Sequence, residues 1–431
     1  MDATLISAWD ALVNIFLPVF TQPGGRVFTR LLTGWILCTG RRTVTGMIRR
    51  ADPEGWRAHD AYHRFFPDGA WVIAELWRRL TLLLVQRFYP SETILLDLDD
   101  TVFRHTGRKV QGAGWWRDAV RSTGTRIVHV WGLNIVVLTL RVDPPWGGEP
   151  LGLPVNMRLH RKKKGPTLIE LAAAMLREVA DWLPQRRFQT CADGFYASLA
   201  GAGIPGVHLI SRIRRDALLY DPPPLRPKKT RGRPQKRGRK LASPERMAAH
   251  VQQWRKVITC ERGRERTRLV YVRPVLWYHV SKEPVLLVLS RDPTGKEKDD
   301  YFVSTDTTLT GAQVVSAFAG RWCIEDTFKN TKQLLGGQQP QTWKGAGPER
   351  AAALSLWLYS MVWLWYLQQK NRQRTFWVWP WYPHKATPSF ADALSSLRRT
   401  LWQEKIKSMF GKRAVHDKKY EFLIEALSSA A

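Results

Sequence analysis

The stretch from Ala351 to Leu367, AAALSLWLYSMVWLWYL, is about 17 residues of almost unbroken apolar side chains. That length only reaches the short limit for spanning a bilayer. Arginine and lysine bound it on both sides, so it reads as a helix buried in a core rather than a membrane span. A core of that kind is within reach of this chain, because 44% of its 431 residues are hydrophobic, enough for about two to four domains. The 21 tryptophans are read first as packing material, with at best a few available to stack on bases.

Charge narrows the partner. Lysine and arginine number 67 against 37 acids, a formal charge of +30 with a pI near 10.4, which points to a polyanion, nucleic acid first. Cys38, Cys191, Cys260 and Cys323 lie far apart with no CxxC pair, against a disulfide framework or a thiolate zinc site and in keeping with a reducing cytoplasm. Asp2 and Asp10 interrupt the first apolar run, so no export leader is expected.

Residues 1–90 read as a helical, DNA-binding domain built on VNIFLPVF, FTRLLTGWILC and AELWRRLTLLLVQRF, separated by turns such as Gln22-Pro23-Gly24-Gly25. Arg78, Arg79 and Arg87 make the third segment a candidate DNA contact, although no clean helix-turn-helix signature is visible. The period changes at Glu92. ETILLDLDD predicts a buried strand ending in Asp97, Asp99 and Asp100; Thr125 to Val142 predicts two paired strands; and Pro150 to Arg158 predicts another. A helix over Thr167–Leu183 and a strand over Arg187–Asp193 complete an α/β unit. Leu225 to Lys240 then packs nine basic residues into sixteen, inside a mostly β segment from about 215 to 300, and helices resume at Gly311.

Asp99 and Asp193 each close a predicted strand, where side chains reach a common sheet edge and suit a shared metal site. Glu325 lies on the amphipathic segment Gln313–Leu335, where Phe318, Arg321, Glu325, Phe328 and Lys332 follow helical spacing along one face. An acid on a half-apolar face is costly to bury without a cation or a metal, and Arg321 and Lys332 could neutralise it or grip a phosphate.

These residues resemble the DDE transposases of bacterial insertion sequences, in the cut-and-paste branch with a ribonuclease H-like catalytic domain. That branch carries tyrosine, arginine, glutamate and lysine at the spacings of Phe318, Arg321, Glu325 and Lys332, with only the tyrosine replaced. Asp99-Asp100-Thr101 matches its first aspartate motif and Asp193-Gly194-Phe195-Tyr196 its second. The resemblance covers roughly residues 90 to 370. It implies a core over 91–214 and 301–370, a β-rich insertion over 215–300 with the basic loop 225–240, and a helical C-terminal region over 371–431. It also implies that Asp99, Asp193 and Glu325 hold two Mg2+ ions, for which Mn2+ can substitute, and that the partner is double-stranded DNA, terminal inverted repeats and target, bound by a homodimer without a membrane. A cytoplasmic, nucleoid-associated bacterial protein follows. In some relatives a tryptophan of the insertion stabilises a flipped base, which makes Trp254 and Trp277 candidates, with packing the simpler role for both.

Two local features carry rival readings. LLDLDDTVF also fits the Asp-x-Asp-x-Thr of haloacid-dehalogenase-like phosphatases, with Asp97 as nucleophile and Asp99 as acid/base, and Asp299-Asp300 as the only adjacent aspartate pair downstream. His59 and His63 are spaced for a metal but have no further ligands nearby. A relative that only occupies DNA is a further alternative, opposed by the intact acids. For DNA contact, the expected residues are Phe318, Arg321 and Lys332 at the acids; Lys162 and Lys163 in the Arg161–Lys164 run; and Lys228, Lys229, Arg231 and Arg233. Arg231-Gly232-Arg233-Pro234 resembles an AT-hook core that enters a minor groove.

Overall fold

The computed structural model describes residues 3–90, 93–118, 121–162, 165–224, 235–369, 376, 378–411 and 417–429. Helices α1 (Ala3–Asn14), α2 (Gln22–Leu37), α3 (Val44–Ala51), α4 (His59–Phe65) and α5 (Ile73–Phe88) come first. Gln22-Pro23-Gly24-Gly25, expected as a turn, is instead the opening turn of α2. Thr21 caps it by accepting from the Gly24 amide at 3.3 Å, and proline is tolerated where helix amides have no intrahelical acceptor.

Strands β1 (Thr93–Arg104), β2 (Gly114–Arg117), β3 (His129–Val142) and β4 (Leu151–His160) lead to α6 (Leu168–Trp182), β5 (Arg187–Ala192) and β6 (Val207–Arg212). The chain continues through α7 (Pro244–His250), β7 (Arg255–Glu261), β8 (Arg264–Val275), β9 (Val285–Arg291) and β10 (Asp300–Ser304). It ends with α8 (Gly311–Gly320), α9 (Cys323–Gln333), α10 (Gly347–Leu367), α11 (Phe390–Phe410) and α12 (Lys418–Ser429). All ten strands form one sheet in the order β2-β3-β1-β5-β6-β10-β9-β8-β7, with β4 also paired to β3. β1, β5 and β6 run parallel and the other neighbours antiparallel, so the strands from 255 to 304 extend the same sheet outward from β6. The class is α/β, with helices at both ends of the chain.

Two strand expectations change. β1 does not stop at its acids, because Thr101, Val102 and Phe103 keep pairing with β3 as far as Arg104, whereas β5 pairs with β1 only up to Leu98 and Ala192. The strand that ends beside the acids is β5. The run Thr125–Val142 holds a single long strand, β3 from His129 on, rather than a hairpin. Its Gly132 stays extended because a Cβ there would lie 2.2 Å from the Phe103 carbonyl oxygen, so the glycine permits a close approach of two backbones.

The apolar stretch is the buried core helix α10, and every residue from Ala351 to Leu367 is buried. A helix apolar on all sides needs cover on all sides. Phe16 and Phe28 pack against Trp357 with ring centroids 4.8 and 5.5 Å away, and Ser360 donates to the Pro154 carbonyl on β4 at 2.9 Å. Each fully buried large apolar side chain there contributes about 1.5–3 kcal/mol. Among the described residues no helix is long and apolar enough to cross a membrane.

Candidate active site

Strand register brings the first two acids together. Leu98 lies beside Ala192 in the parallel ladder, so Asp99 and Asp193 follow directly beyond the last rung that β1 and β5 share. Side chains alternate along a strand, which puts Asp97, Asp99 and Thr101 on one face of β1. β5 ends because Asp193 turns to cap the 3-10 helix Gly194–Gly201, its carboxylate accepting from the Phe195 amide at 3.0 Å. Tyr196, in that helix, donates to Asp100 at 2.9 Å and ties the turn back to β1.

The third acid arrives on α9, and here the single helix expected over Gln313–Leu335 is broken in two. α8 stops at Gly320 and α9 starts at Cys323. Between them the amides of Arg321, Trp322, Ile324 and Glu325 bond three residues back at 3.0–3.4 Å, a 3-10 tightening. Gly320 has to be small, because a Cβ there would lie 2.4 Å from Nη1 of Arg141. Beyond the joint, α9 is pinned to the sheet twice. Thr327 donates to the Gly152 carbonyl on β4 at 2.6 Å, and Lys332 Nζ donates to Thr101 Oγ1 on β1 at 2.6 Å.

Arg321 then stands between two carboxylates. Its Nη1 is 2.7 Å from Asp99 Oδ2 and its Nη2 is 3.4 Å from Glu325 Oε1. Phe318 supports it from beneath: this ring is only 8% exposed, packs on Phe302 at 4.9 Å and lies under the guanidinium groups of Arg212 and Arg321 at 5.2 and 5.5 Å. Burial pushes the Asp99 carboxyl up to about 7, against the pull of Arg321 and with repulsion from Asp193 and Asp100 added. Burial likewise raises Glu325, opposed by Arg321, and raises Asp100, opposed by the Tyr196 hydrogen bond. Lys332 is moved the other way, down to about 8, by burial and then by Arg104.

Asp97, two residues away on the same face, is wholly enclosed. Arg141 forks onto both of its oxygens, with Nε to Oδ2 at 3.1 Å, and the Cys323 thiol donates to Oδ2 at 3.3 Å. A carboxylate with no exposed surface and a bidentate arginine cannot attack a substrate, which disfavours the phosphatase reading. The downstream pair it would need is also engaged, Asp299 by Arg291 at 2.7 Å and Asp300 by Arg212 at 2.9 Å.

Asp99, Asp193 and Glu325 offer hard oxygen donors of the kind divalent magnesium takes. Among the described residues no three His, Cys, Asp or Glu side chains stand together so as to hold a metal ion, and Arg321 fills the space between Asp99 and Glu325. The donor chemistry of the three carboxylates fits a divalent cation, which they would hold with Arg321 moved aside. His59 and His63 face each other with Nε2 atoms 3.1 Å apart, joined by the Thr45 hydroxyl.

The other expected contacts are dispersed. Lys162 follows the end of β4, donates to the Trp115 carbonyl at 3.2 Å and lies 5.5 Å over the Trp116 ring. Lys163, Lys228, Lys229, Arg231 and Arg233 lie outside the described residues. Trp254 and Trp277 pack against a small core behind β8 and β9, and Arg291 lies 4.4 Å over Trp254. Arg262 joins the site without any local motif to announce it. At the tip of the β7–β8 hairpin this residue has φ +52°, and its guanidinium lies 4.0 Å over the exposed Trp322, in the joint beside Glu325. Arg212, Arg262, Arg264, Arg321 and Trp322 share a cavity of about 750 Å3 there, whose wall also holds the carboxylates Glu149, Glu261, Glu297 and Asp300. Only a two-residue turn between β-branched runs marked this hairpin in the sequence.

The model of a family described as DDE superfamily endonuclease matches residues 16–284, a span that holds Asp99 and Asp193 and stops short of Glu325. No curated protein matches the chain.

Proposed function

Because the chain belongs to the DDE superfamily endonucleases, we propose that it is the transposase of a bacterial insertion sequence. In this reading it binds transposon ends, cleaves DNA by metal-dependent hydrolysis and joins the ends to target DNA by transesterification. One observation carries it: Arg321 spans Asp99 and Glu325 while Lys332, from the same α8–α9 segment, holds Thr101 beside Asp99. Residues with the spacing of the Tyr/Arg/Glu/Lys signature thus meet the first aspartate motif in space.

Asp99, Asp193 and Glu325 are the residues that would hold two Mg2+ ions, or Mn2+ in their place, whose chemistry is to activate a water or a 3′-hydroxyl and to stabilise the leaving oxygen. The chain's own groups position the DNA. Arg321, released from its carboxylates, and Lys332 grip the phosphates flanking the scissile bond and hold it in line for attack. Phe318 acts through Arg321, keeping the guanidinium at the acids. We read 91–214 and 301–370 as a ribonuclease H-like core, 215–300 as its insertion and 1–90 as a DNA-binding region, with a homodimer assembling on the ends. The basic loop, Lys162 and Lys163 add contacts to the backbone, and a cytoplasmic, nucleoid-associated site of action follows from the substrate.

The test is nicking of supercoiled plasmid in magnesium by wild type, Asp99→Ala, Asp193→Ala and Glu325→Ala. Each substitution should lower nicking on the order of a thousandfold while leaving DNA affinity nearly unchanged, because binding rests on the basic surface. Robust cleavage by Glu325→Ala removes the assignment.

A further inference from the structure

A second cleft opens at the other end of the catalytic face, where β1 runs out. Arg104 to Val110 form one wall and Gln338 to Trp343 the other, and Arg41 reaches in from the loop between α2 and α3, around a cavity of about 540 Å3. Among the described residues no carboxylate lines it. Arg104 is held by Asp118 at 2.6 Å, whereas Arg41, Arg108 and Lys109 are exposed and have no ion-pair partner among the described residues.

The neutral groups are also turned to donate. Gln338 Oε1 accepts from the Arg104 amide at 2.8 Å and Gln339 Oε1 accepts from the Arg42 amide at 2.8 Å, so each glutamine keeps its NH2 for something else. Gly336, at φ +57°, makes this possible, since a Cβ there would lie 2.3 Å from Gln339 Oε1. Two wall carbonyls are occupied, that of Gly107 by the Trp131 indole at 3.0 Å and that of Trp343 by the Gln111 amide at 2.9 Å. A cleft that offers cations and N–H donors, with two of its carbonyls already occupied, suits a ligand made of anionic acceptors at regular intervals, which is a phosphodiester chain.

Its position fixes which part of the ligand it takes. Arg104 is three residues beyond Thr101 on β1 and close enough to Lys332 to lower its proton affinity, and Gln338 follows α9 by one short turn. We propose that this cleft is a DNA-backbone site that seats the duplex on the β1 side of the acidic centre, so that the scissile phosphate is held between it and the arginine cavity at Trp322. This rests on the endonuclease reading and adds to it the direction in which DNA leaves the centre.

The experiment uses the full chain with a labelled 30-base-pair duplex, titrated at several salt concentrations, and in parallel the plasmid nicking assay. Neutralising Arg108 and Lys109 together (Arg108→Gln/Lys109→Gln) should lower the slope of log K against log salt by roughly 1.8, about 0.9 for each phosphate that is no longer neutralised. Neutralising Arg177 and Lys282, exposed cations that do not line the cleft, should leave the slope unchanged. A photocrosslinking residue at Gln341 should capture backbone at one fixed distance from the nicked phosphate. A wild type that nicks DNA while the Arg108/Lys109 variant keeps the full slope, or a crosslink scattered along the duplex, overturns the cleft and leaves the endonuclease standing. A wild type that neither binds nor nicks DNA overturns both.

Discussion

Asp97 and Asp99 sit two residues apart on one face of β1, and each is met by an arginine, yet the two pairs are built for opposite ends. The Asp97–Arg141 pair is sealed, with the carboxylate fully covered and the arginine 6% exposed, and a thiol fills the remaining edge. The Asp99–Arg321 pair keeps the arginine 12% and the carboxylate 20% exposed, opens onto a cavity, and shares its cation with Glu325. A sealed pair has nowhere to exchange its partner. An open pair whose acid already titrates near 7 can trade its guanidinium for a proton or another cation. The difference separates a residue that holds the sheet to α9 from one that can take part in chemistry.

The comparison breaks most easily at Arg141. Arg141→Ala strands a buried carboxylate and should cost about 3–5 kcal/mol, whereas replacing both partners by apolar residues, Asp97→Leu with Arg141→Met, should recover most of that. Denaturant titration measures both, and a loss below about 1 kcal/mol for Arg141→Ala would mean that the pair is not sealed. Arg321→Ala should show the reverse profile. Asp99 can take up a proton when its cation is removed, so stability should change by less than about 1 kcal/mol, while nicking falls roughly a hundredfold, about 2.7 kcal/mol of transition-state stabilisation. An Arg321→Ala protein that cleaves normally would leave the open pair without a role.

Gly320 connects the two pairs, because α8 ends against the Arg141 guanidinium. Gly320→Ala should cost about 1–3 kcal/mol by overpacking and also lower nicking, since any shift of the joint carries Glu325 with it. Loss of stability with full activity would uncouple the sealed pair from the open one. The smallest effect is expected at Lys332. Its folded-state value near 8 lies below that of an ordinary lysine, so between pH 8 and about 10.5 the unfolded chain binds the extra proton and stability from this group rises with pH. Lys332→Met should therefore flatten that rise in stability, with its advantage over wild type fullest below pH 8. In DNA binding, the wild-type salt slope should drop by up to about 0.9 as the pH is raised from 7 to 9, and the variant's should not. A wild-type slope indifferent to pH would show that Lys332 touches no phosphate.

What could be read in the sequence was what is local. α6 carries its own capping box, with Thr167 and Glu170 each satisfying the other's backbone, and it forms within a residue of its expected bounds. The spacing of Arg321, Glu325 and Lys332 and the motifs at Asp99 and Asp193 are local too, and the fold brings Asp99, Arg321, Glu325 and Thr101–Lys332 into direct contact. The departures come from distant partners. β1 runs past its acids because β3 pairs with it, and the expected long helix is broken at a joint where Gly320 lies too close to Arg141 for any side chain. In the sequence only the Asp99-Asp100-Thr101 motif separates Asp99 from Asp97; the stronger reason, Arg141 on a neighbouring strand, has no signature near either residue. Gln338 and Gln339 likewise look like ordinary loop residues until the backbone amides that orient them are in place.

The joint between α8 and α9 also acts as a phase setter. A helix advances about 100° per residue, and α9 is anchored downstream by Thr327 on β4 and Lys332 on β1. The angular position of Glu325 is therefore fixed by its spacing to those anchors, and the joint upstream sets where Arg321 stands relative to it. Loops elsewhere on the molecule can lengthen or shorten at little cost, but a single codon gained or lost between Arg321 and Glu325 would turn the arginine about a quarter turn away from the two carboxylates it spans. Across descendants of this chain, side chains in the joint can vary while its length stays constant.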